Sequence, residues 1–308
     1  MDFLATLGQM GVLFVVVIIG FVCSKLNIMN DAFNRSLSVL IINVTAPCII
    51  LSSVMGDTLP ERSEIVPVFL LGTATLLMLL IFGYIGAKLL RTGDMEGIYR
   101  FMFAFGNINF IGIPVATSLF GQYAMFYIAV LTIPFNLLIF LLGQIFIRSC
   151  SPQSRDNKIS FNWRMILSPA LTSTYIVIAL VAFQVKTPHI IGTAFSLVGN
   201  MTIPASLLVI GATLANIKVL EMFGNWRVYV MCALKLLGIP VLIFIIYSLS
   251  PFDHRYTDVL VVLAAMPVAS YGTMICLKEN IDPKIMAQGT FMSTLLSIIS
   301  IPVLALIL

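Results

Sequence analysis

The chain has 308 residues, of which 60% are hydrophobic and only 10% are charged, and its mean hydropathy is +1.07. This composition excludes a water-soluble globular protein, which needs a polar shell around its core, and predicts an integral membrane protein embedded in a lipid bilayer. The net charge is only +4, and no basic patch with interleaved aromatic residues occurs, so nucleic acid is not an expected partner.

Cysteine and histidine patterns give no sign of catalysis or of a cofactor. The five cysteines are scattered without a CxxC motif or paired spacing, so disulfide bonds and metal sites are not expected. His189 and His254 lie between apolar segments, and no Ser-His-Asp, metal-ligand or phosphate-loop pattern occurs. The sequence therefore predicts neither an enzyme nor a bound cofactor.

Apolar segments of about 20 residues, the length that crosses a bilayer, follow one another along the chain. Ten are predicted, at residues 4–24, 33–54, 66–89, 99–120, 123–147, 165–185, 190–215, 227–249, 257–277 and 285–307. A polar stretch at 149–164 separates five segments in residues 1–148 from five in residues 165–308. The predicted fold class is an all-α integral membrane protein with ten transmembrane helices.

The distribution of basic residues predicts the orientation in the membrane. When loops and the adjoining span ends are counted alternately, three basic residues fall on one side, and Lys235 falls deep within a span. Thirteen fall on the other side, namely Lys25, Arg35, Lys88, Arg91, Arg100, Arg148, Arg155, Lys158, Arg164, Lys218, Arg227, Lys278 and Lys284. Because basic loops stay in the cytoplasm, the central loop is predicted to be cytoplasmic and both termini outside.

Two short patterns occur once in each half of the chain. NVTAP (43–47) lies in the second span and NMTIP (200–204) in the seventh, whereas IPVATS (113–118) lies in the fourth and MPVASY (266–271) in the ninth. Matching landmarks in the same order indicate a duplication, and an odd number of spans per half makes the copies face opposite ways. The alternative is a chance match, since proline is common in membrane helices. Inverted repeats are typical of alternating-access transporters.

The fourth span predicts a helix interruption near the middle of the membrane. It carries Gly106, Asn107, Asn109, Gly112 and Pro114 within nine residues. Proline lacks the N–H of a helical residue and clashes with the preceding turn, while glycine lets the backbone leave helical angles. Lipid offers no replacement hydrogen bonds, so unwound backbone must face protein or water, and the two amides are suited to satisfy it.

The half-helices that begin near Pro114 and Pro267 would point their N-termini at the middle of the protein. Each helix N-terminus carries about half a positive charge, so such a site favours an anion. Asn107, at the predicted interruption, is the preferred substrate ligand. Asn136 in the fifth span and Ser270 in the ninth either line a cavity or satisfy neighbouring backbone groups.

Lys235 is the one charged residue predicted to lie deep within a span, about nine residues into the eighth. It either attracts the anion or neutralises backbone carbonyls that a helix interruption leaves free. No Asp or Glu is embedded in a predicted span, which argues against cation exchange through a carboxylate.

The run GNINFIGIPVATSLFG (106–121) resembles the fourth-helix signature of the auxin efflux carrier family, an N-x-G-x-x-G-x-P pattern. Other stretches along nearly the whole chain agree with it, among them NVTAPCIILSSV, IPASLLVIGATLA and AAMPVASYG. Asn109 departs from the pattern, which expects a small residue there, so either Asn107 or Asn109 remains the main amide ligand. The short central loop is similar to that of compact bacterial members and implies the bacterial inner (plasma) membrane.

The resemblance implies a ten-helix fold with proline-broken, crossing helices 4 and 9, and a homodimer. Helices 1, 2, 6 and 7 would form a scaffold and the others a moving transport unit, as in an elevator mechanism. Pro47 and Pro204 would then kink scaffold helices, and Asn43 and Asn200 would be structural or touch the pathway. The implied function is transport of a small organic anion, either a monocarboxylate or a dicarboxylate. A membrane-embedded sensor that binds a carboxylate without moving it is the alternative.

Overall fold

The computed structural model describes residues 3–55, 62–121, 123–150, 167–215, 225–279 and 281–308. Within these ranges the protein is helical, and β-structure is limited to one isolated bridge. Most of the predicted cytoplasmic loop, residues 151–164, lies outside the described ranges. The predicted all-α class is confirmed for the described part of the chain.

Helices are numbered in chain order. The first half contains α1 (Phe3–Lys25), α2 (Asp31–Leu40), α3 (Ala46–Ser52), α4 (Ile65–Leu89), α5 (Glu96–Ala104), α6 (Ile113–Phe120), α7 (Tyr123–Leu138) and α8 (Gln144–Arg148). The second half contains α9 (Pro169–Ala182), α10 (His189–Gly199), α11 (Thr202–Ala215), α12 (Trp226–Ala233), α13 (Ile239–Ser248), α14 (His254–Ala264), α15 (Tyr271–Lys278) and α16 (Lys284–Ala305).

Six helical stretches within the described residues are long and apolar enough to cross a membrane. They are Ala32–Ser52, Ile65–Leu89, Tyr123–Arg148, His189–Ala212, Trp226–Ser248 and Lys284–Ala305. These stretches coincide with predicted spans 2, 3, 5, 7, 8 and 10. Predicted spans 1 and 6 coincide with α1 and α9, whereas predicted spans 4 and 9 are each divided into two helices.

Wide π-helical turns accommodate several of the prolines without ending the helix. Four such turns are present in the described residues: Ile41–Thr45, Ile108–Gly112, Ile139–Gly143 and Leu234–Gly238. Pro47, Pro114 and Pro240 each lie two residues after one of them. A proline removes one i→i−4 hydrogen bond and crowds the carbonyl of the preceding turn, and a wide turn relieves that crowding.

Helices α1 and α11 pack through glycine with their backbones in close contact. A Cβ on Gly20 would overlap the backbone of Leu208, and a Cβ on Gly211 would overlap the carbonyl of Val17. Small residues at helix interfaces allow such close approach within a membrane. The Lys25 ammonium also donates to the Ala215 carbonyl at 2.8 Å, which adds a cation at the C-terminal end of α11.

Helices α5 and α14 lie at the centre of the described structure. In α5 the aromatic side chains of Tyr99, Phe101 and Phe103 are all buried. In α14 the run from Val259 to Ala264 is buried on every side. A helix that is apolar and buried all round belongs to the interior of a protein. Both of these central helices end at the interruptions described next.

Candidate functional site

Two helices stop near the centre of the protein and continue after a short extended segment. α5 ends at Ala104, and a new helical stretch begins at Ile108. α14 ends at Ala264, and α15 begins at Tyr271. We call the two connecting segments, residues 105–107 and 265–270, the crossover.

Backbone hydrogen bonds join the two segments of the crossover in an antiparallel arrangement. Gly106 and Val268 form the isolated bridge. The Asn107 N–H donates to the Pro267 carbonyl at 2.6 Å, and the Ala269 N–H donates to the Phe105 carbonyl at 3.0 Å. Each segment therefore satisfies backbone groups of the other, which a bilayer requires because lipid offers no hydrogen bonds.

Glycine at position 106 permits the close approach of the two segments. An added Cβ would lie 3.1 Å from the Met266 Cβ and 3.2 Å from the Met266 carbonyl oxygen. The sequence predicted an interruption in this span, and one is present, but it lies upstream of Pro114. Pro114 itself is buried in the first turn of α6, whereas Pro267 lies within the crossover.

Asn107 is the polar side chain that the structure positions at the crossover, and it is only 6% exposed. Its Oδ1 accepts the Phe110 N–H at 3.2 Å, so it caps the helical stretch that begins at Ile108. Its backbone carbonyl accepts the N–H groups of Ile111 and Gly112. The amide Nδ2 donates to no group within the described residues.

Ser293 on α16 also forms a hydrogen bond with the crossover, and this residue was not predicted from the sequence. Its side chain is fully buried, and its Oγ accepts the Val268 N–H at 3.0 Å and donates to the Thr290 carbonyl at 3.2 Å. The signal in the sequence was the helical spacing of the hydroxyl residues in α16, which are Thr290, Ser293, Thr294, Ser297 and Ser300.

The three other predicted polar ligands differ in where the structure places them. Asn136 is half-buried on α7, and its neighbour Phe135 contacts the Phe105 ring edge-on with centroids 6.0 Å apart. Ser270 is exposed at the end of the crossover. Asn109 belongs to the π turn before α6, and its side chain lies outside the described part of the structure.

Lys235 is fully buried in the π turn between α12 and α13. Its Nζ has no hydrogen-bond partner within the described residues. The turn packs against α16, the helix that carries Ser293. An unpaired cation inside a membrane protein is costly, and such groups are typically functional.

An open cleft lies between the α1–α11 pair on one side and the helices α6 and α16 on the other. Phe14 and Val17 of α1 and Leu207 and Ile210 of α11 form one wall. The facing wall consists of Ile111, Val115, Thr294, Ser297, Ile298 and Ile301. Eight of these ten residues are apolar and none is charged, and no residue of the crossover is among them.

The two copies of the N-x-T-x-P pattern agree in the burial of their Asn and Thr residues and differ in the burial of their Pro residues. Asn43 and Asn200 are both exposed, and each lies at a departure from α-helical geometry, a π turn and a helix end respectively. Thr45 and Thr202 are both buried, and neither hydroxyl has a partner within the described residues. Pro47 is buried and Pro204 is exposed. None of these residues lines the cleft.

Long apolar helices, together with two interrupted helices that meet at one point, are typical of membrane transporters. A family model described as "Membrane transport protein" matches residues 6–305. The chain therefore belongs to this family, the auxin efflux carrier family, and the resemblance noted in the sequence is confirmed.

A curated relative agrees with this assignment. The chain is 26% identical to a protein of Methanothermobacter thermautotrophicus described as an uncharacterized transporter. The match extends over 300 residues, which is 96% of this chain and 95% of the relative. Family and relative together identify a membrane transporter, and both point away from an enzyme.

Proposed function

We propose that this protein is a secondary transporter that moves a small organic anion across the membrane by alternating access. The observation that carries the proposal is Asn107, whose amide donors have no partner within the described residues at the point where two interrupted helices meet. In transporters, irregular backbone at membrane depth is tolerated where it is buried or lines a cavity, and substrate sites lie at such interruptions.

The charges of the site favour an anion. The helical stretch that follows Asn107 directs its N-terminus at the crossover. Lys235 is the buried basic residue of the π turn that packs against α16, and its Nζ has no partner within the described residues. A carboxylate would accept hydrogen bonds from Asn107 Nδ2, with Lys235 as the countercharge. A monocarboxylate and a dicarboxylate would each make these two interactions.

The proposed architecture is ten transmembrane helices in two inverted repeats, residues 1–148 and 165–308. The similar burial of the Asn and Thr residues in the two N-x-T-x-P copies and the pairing of two interrupted helices support it. Helices α1 and α11, which pack backbone to backbone, belong to the proposed scaffold. The crossover helices and α16 belong to the unit that moves, in an elevator-type mechanism.

The active form is proposed to be a homodimer in the inner membrane. Asn43 and Asn200 support this proposal because they place exposed amides on apolar helices. The Asn43 amide donates to the Val39 carbonyl and the Asn200 amide to Ser196, so each amide oxygen can still accept a hydrogen bond. Amide side chains stabilise contacts between membrane helices in this way.

The decisive experiment is uptake of labelled carboxylates into proteoliposomes by the wild type and by two variants of Asn107. Asn107→Asp keeps an acceptor for the Phe110 N–H, since Asp caps helices as well as Asn does. It removes both amide donors and adds a negative charge. We expect both Asn107→Asp and Asn107→Ala to lose saturable uptake, with Asn107→Asp keeping near wild-type thermal stability.

Two other results would contradict the proposal. If Asn107→Asp took up carboxylates as well as the wild type does, Asn107 would not be a substrate ligand. Binding of a carboxylate by the wild type, without flux under any imposed gradient, would identify a sensor and not a carrier.

A further inference from the structure

Two membrane spans end side by side at one surface of the protein. Helix α4 ends at Leu89, and the span Trp226–Ser248 begins next to that end. Arg227 Nε donates to the Leu90 carbonyl at 3.0 Å, and this hydrogen bond joins the start of α12 to the end of α4. Helix α5 packs along α4 at the same junction. Because basic residues are in excess on this side, it is the predicted cytoplasmic side.

Four basic residues lie together at this junction, and we call them the basic cluster. They are Lys88, Arg91, Arg100 and Arg227. Lys88 Nζ lies 5.4 Å and Arg100 Cζ 4.4 Å from the centroid of the Tyr84 ring, so the two cations share one aromatic side chain. Arg91 directly follows the residue whose carbonyl binds Arg227. Residues from three helices therefore bring their positive charges to one place.

Acidic side chains neutralise only part of the charge of the basic cluster. Arg100 pairs with Glu96 at 2.6 Å, whereas none of the ion pairs within the described residues includes the other three members. Arg100 Nε is buried and has no hydrogen-bond acceptor in the described part of the chain. Asp94 is exposed in the loop between α4 and α5. Four positive and two negative side chains thus leave an excess of two positive charges.

The surroundings of the basic cluster are suited to a lipid headgroup more than to a soluble anion. Trp226 is 60% exposed, and the Arg227 guanidinium lies 5.3 Å from its ring centroid. Exposed tryptophan at the end of a span lies at the level of the lipid headgroups. Along α4, Ile81, Ile85 and Leu89 are all exposed and recur at i, i+4 spacing, so they form one apolar row that leads away from the cluster.

We propose that the basic cluster binds the phosphate headgroup of an anionic phospholipid, whose acyl chain lies along the apolar row of α4. Guanidinium groups donate paired hydrogen bonds to phosphate oxygens. Basic pockets between membrane helices on the cytoplasmic side bind anionic headgroups. The site shares no residue with the crossover or the cleft, and so it does not depend on the proposed transport function.

The first test follows thermal melting of the detergent-solubilised wild type while lipid is added. Phosphatidylglycerol and phosphatidylcholine are the probes, because both contain a phosphodiester but only the first has a net negative charge. Each basic residue near the headgroup should strengthen binding about fivefold. We therefore expect phosphatidylglycerol to raise the melting temperature at a concentration at least about tenfold below that of phosphatidylcholine. Equal effects of the two lipids would overturn the proposal.

Inorganic phosphate distinguishes a lipid site from a site for a soluble anion. We expect it to shift the melting temperature no more than sodium chloride of the same ionic strength does. A shift specific to phosphate and as large as that of phosphatidylglycerol would overturn the proposal, because the acyl chain would then contribute nothing.

The second test compares two double variants. Lys88→Gln with Arg91→Gln removes one Lys and one Arg from the basic cluster. Arg35→Gln with Lys284→Gln removes the same two residue types elsewhere on the same predicted side. All four residues are exposed, and both changes lower the net charge by two. Each lipid-induced shift is measured from the variant's own melting temperature in phosphatidylcholine, so a change in folding is not mistaken for a loss of binding.

For the cluster variant we expect the phosphatidylglycerol concentration at half-maximal stabilisation to rise at least about tenfold, since two contributions of about fivefold are lost. For the control variant we expect it to stay within about twofold of the wild type, because distant exposed charges are screened. Equal losses in the two variants would overturn the proposal by identifying a general attraction to the charged surface. Wild-type behaviour of the cluster variant would overturn it as well.

Discussion

At the scale of single residues, Lys235 combines complete burial with the lack of a partner in the described structure. Its side-chain amine makes no hydrogen bond there, and none of the ion pairs within the described residues includes it. A group of this kind lowers the stability of the protein that contains it, since desolvation is not repaid by an ion pair. Ionisable residues within membrane spans are rare and typically mark functional sites.

We predict that Lys235→Met raises the thermal stability of the protein and lowers its transport activity. Methionine fills a similar volume without a charge, so the melting temperature of the detergent-solubilised variant should rise. Carboxylate uptake should fall by at least about tenfold, because the countercharge for the anion is gone. Lys235→Arg serves as the control that keeps the charge. A lower melting temperature with unchanged uptake would show that Lys235 has a structural role only.

Asn107 and Ser293 differ in whether they could be selected from the sequence alone. Asn107 could be selected from the sequence because it lies among glycines and ahead of a proline within an apolar span. Ser293 could not, because α16 carries five hydroxyl residues with helical spacing, and which of them faces the crossover depends on how α16 packs. The helical spacing indicates the five hydroxyl residues as a set and does not distinguish Ser293 from the other four.

At the scale of elements, one hydrogen bond from a main-chain N–H of the crossover connects the crossover to α16. The Val268 N–H has Ser293 Oγ as its acceptor at 3.0 Å, and both groups are buried. Loss of the acceptor would leave a buried N–H unsatisfied, which costs roughly 1–3 kcal/mol. The same helix offers a matched position, Ser297, whose hydroxyl donates only within its own helix.

We predict that Ser293→Ala lowers the melting temperature clearly more than Ser297→Ala does. Ser293→Ala leaves the Val268 N–H without an acceptor, whereas Ser297→Ala removes only a hydrogen bond within α16 itself. Thermal unfolding followed by circular dichroism in one detergent gives the comparison. Equal shifts for the two variants would mean that α16 does not depend on this bond for its position.

Proline and the helix interruptions show how far element boundaries follow from sequence. The interruption of the fourth span was predicted from its glycines, asparagines and proline, and an interruption exists. It lies at residues 105–107 and so includes Asn107, as predicted, but the helix resumes at Ile108 and not near Pro114, because a π turn accommodates the proline within the helical stretch. Pairing with the segment around Pro267 decides where the backbone is extended, and that pairing joins residues distant in sequence.

At the scale of the whole molecule, the asymmetry of basic residues is the strongest sequence signal for orientation. Thirteen basic residues fall on one predicted side and three on the other. Cytoplasmic loops of membrane proteins carry the excess of Lys and Arg, so the side with thirteen should be the cytoplasm. The segment before His189 and the central loop around Asn157 would then lie on opposite sides of the membrane.

We predict that a membrane-impermeant thiol reagent distinguishes these two positions in intact cells. The background is a variant in which the native cysteines are replaced by alanine, namely Cys23, Cys48, Cys150, Cys232 and Cys276. In that background His189→Cys should react from outside, because His189 is exposed at the start of α10. Asn157→Cys should react only after the cells are permeabilised. The reverse pattern would invert the topology, and reaction of both positions in intact cells would rule out an odd number of spans between them.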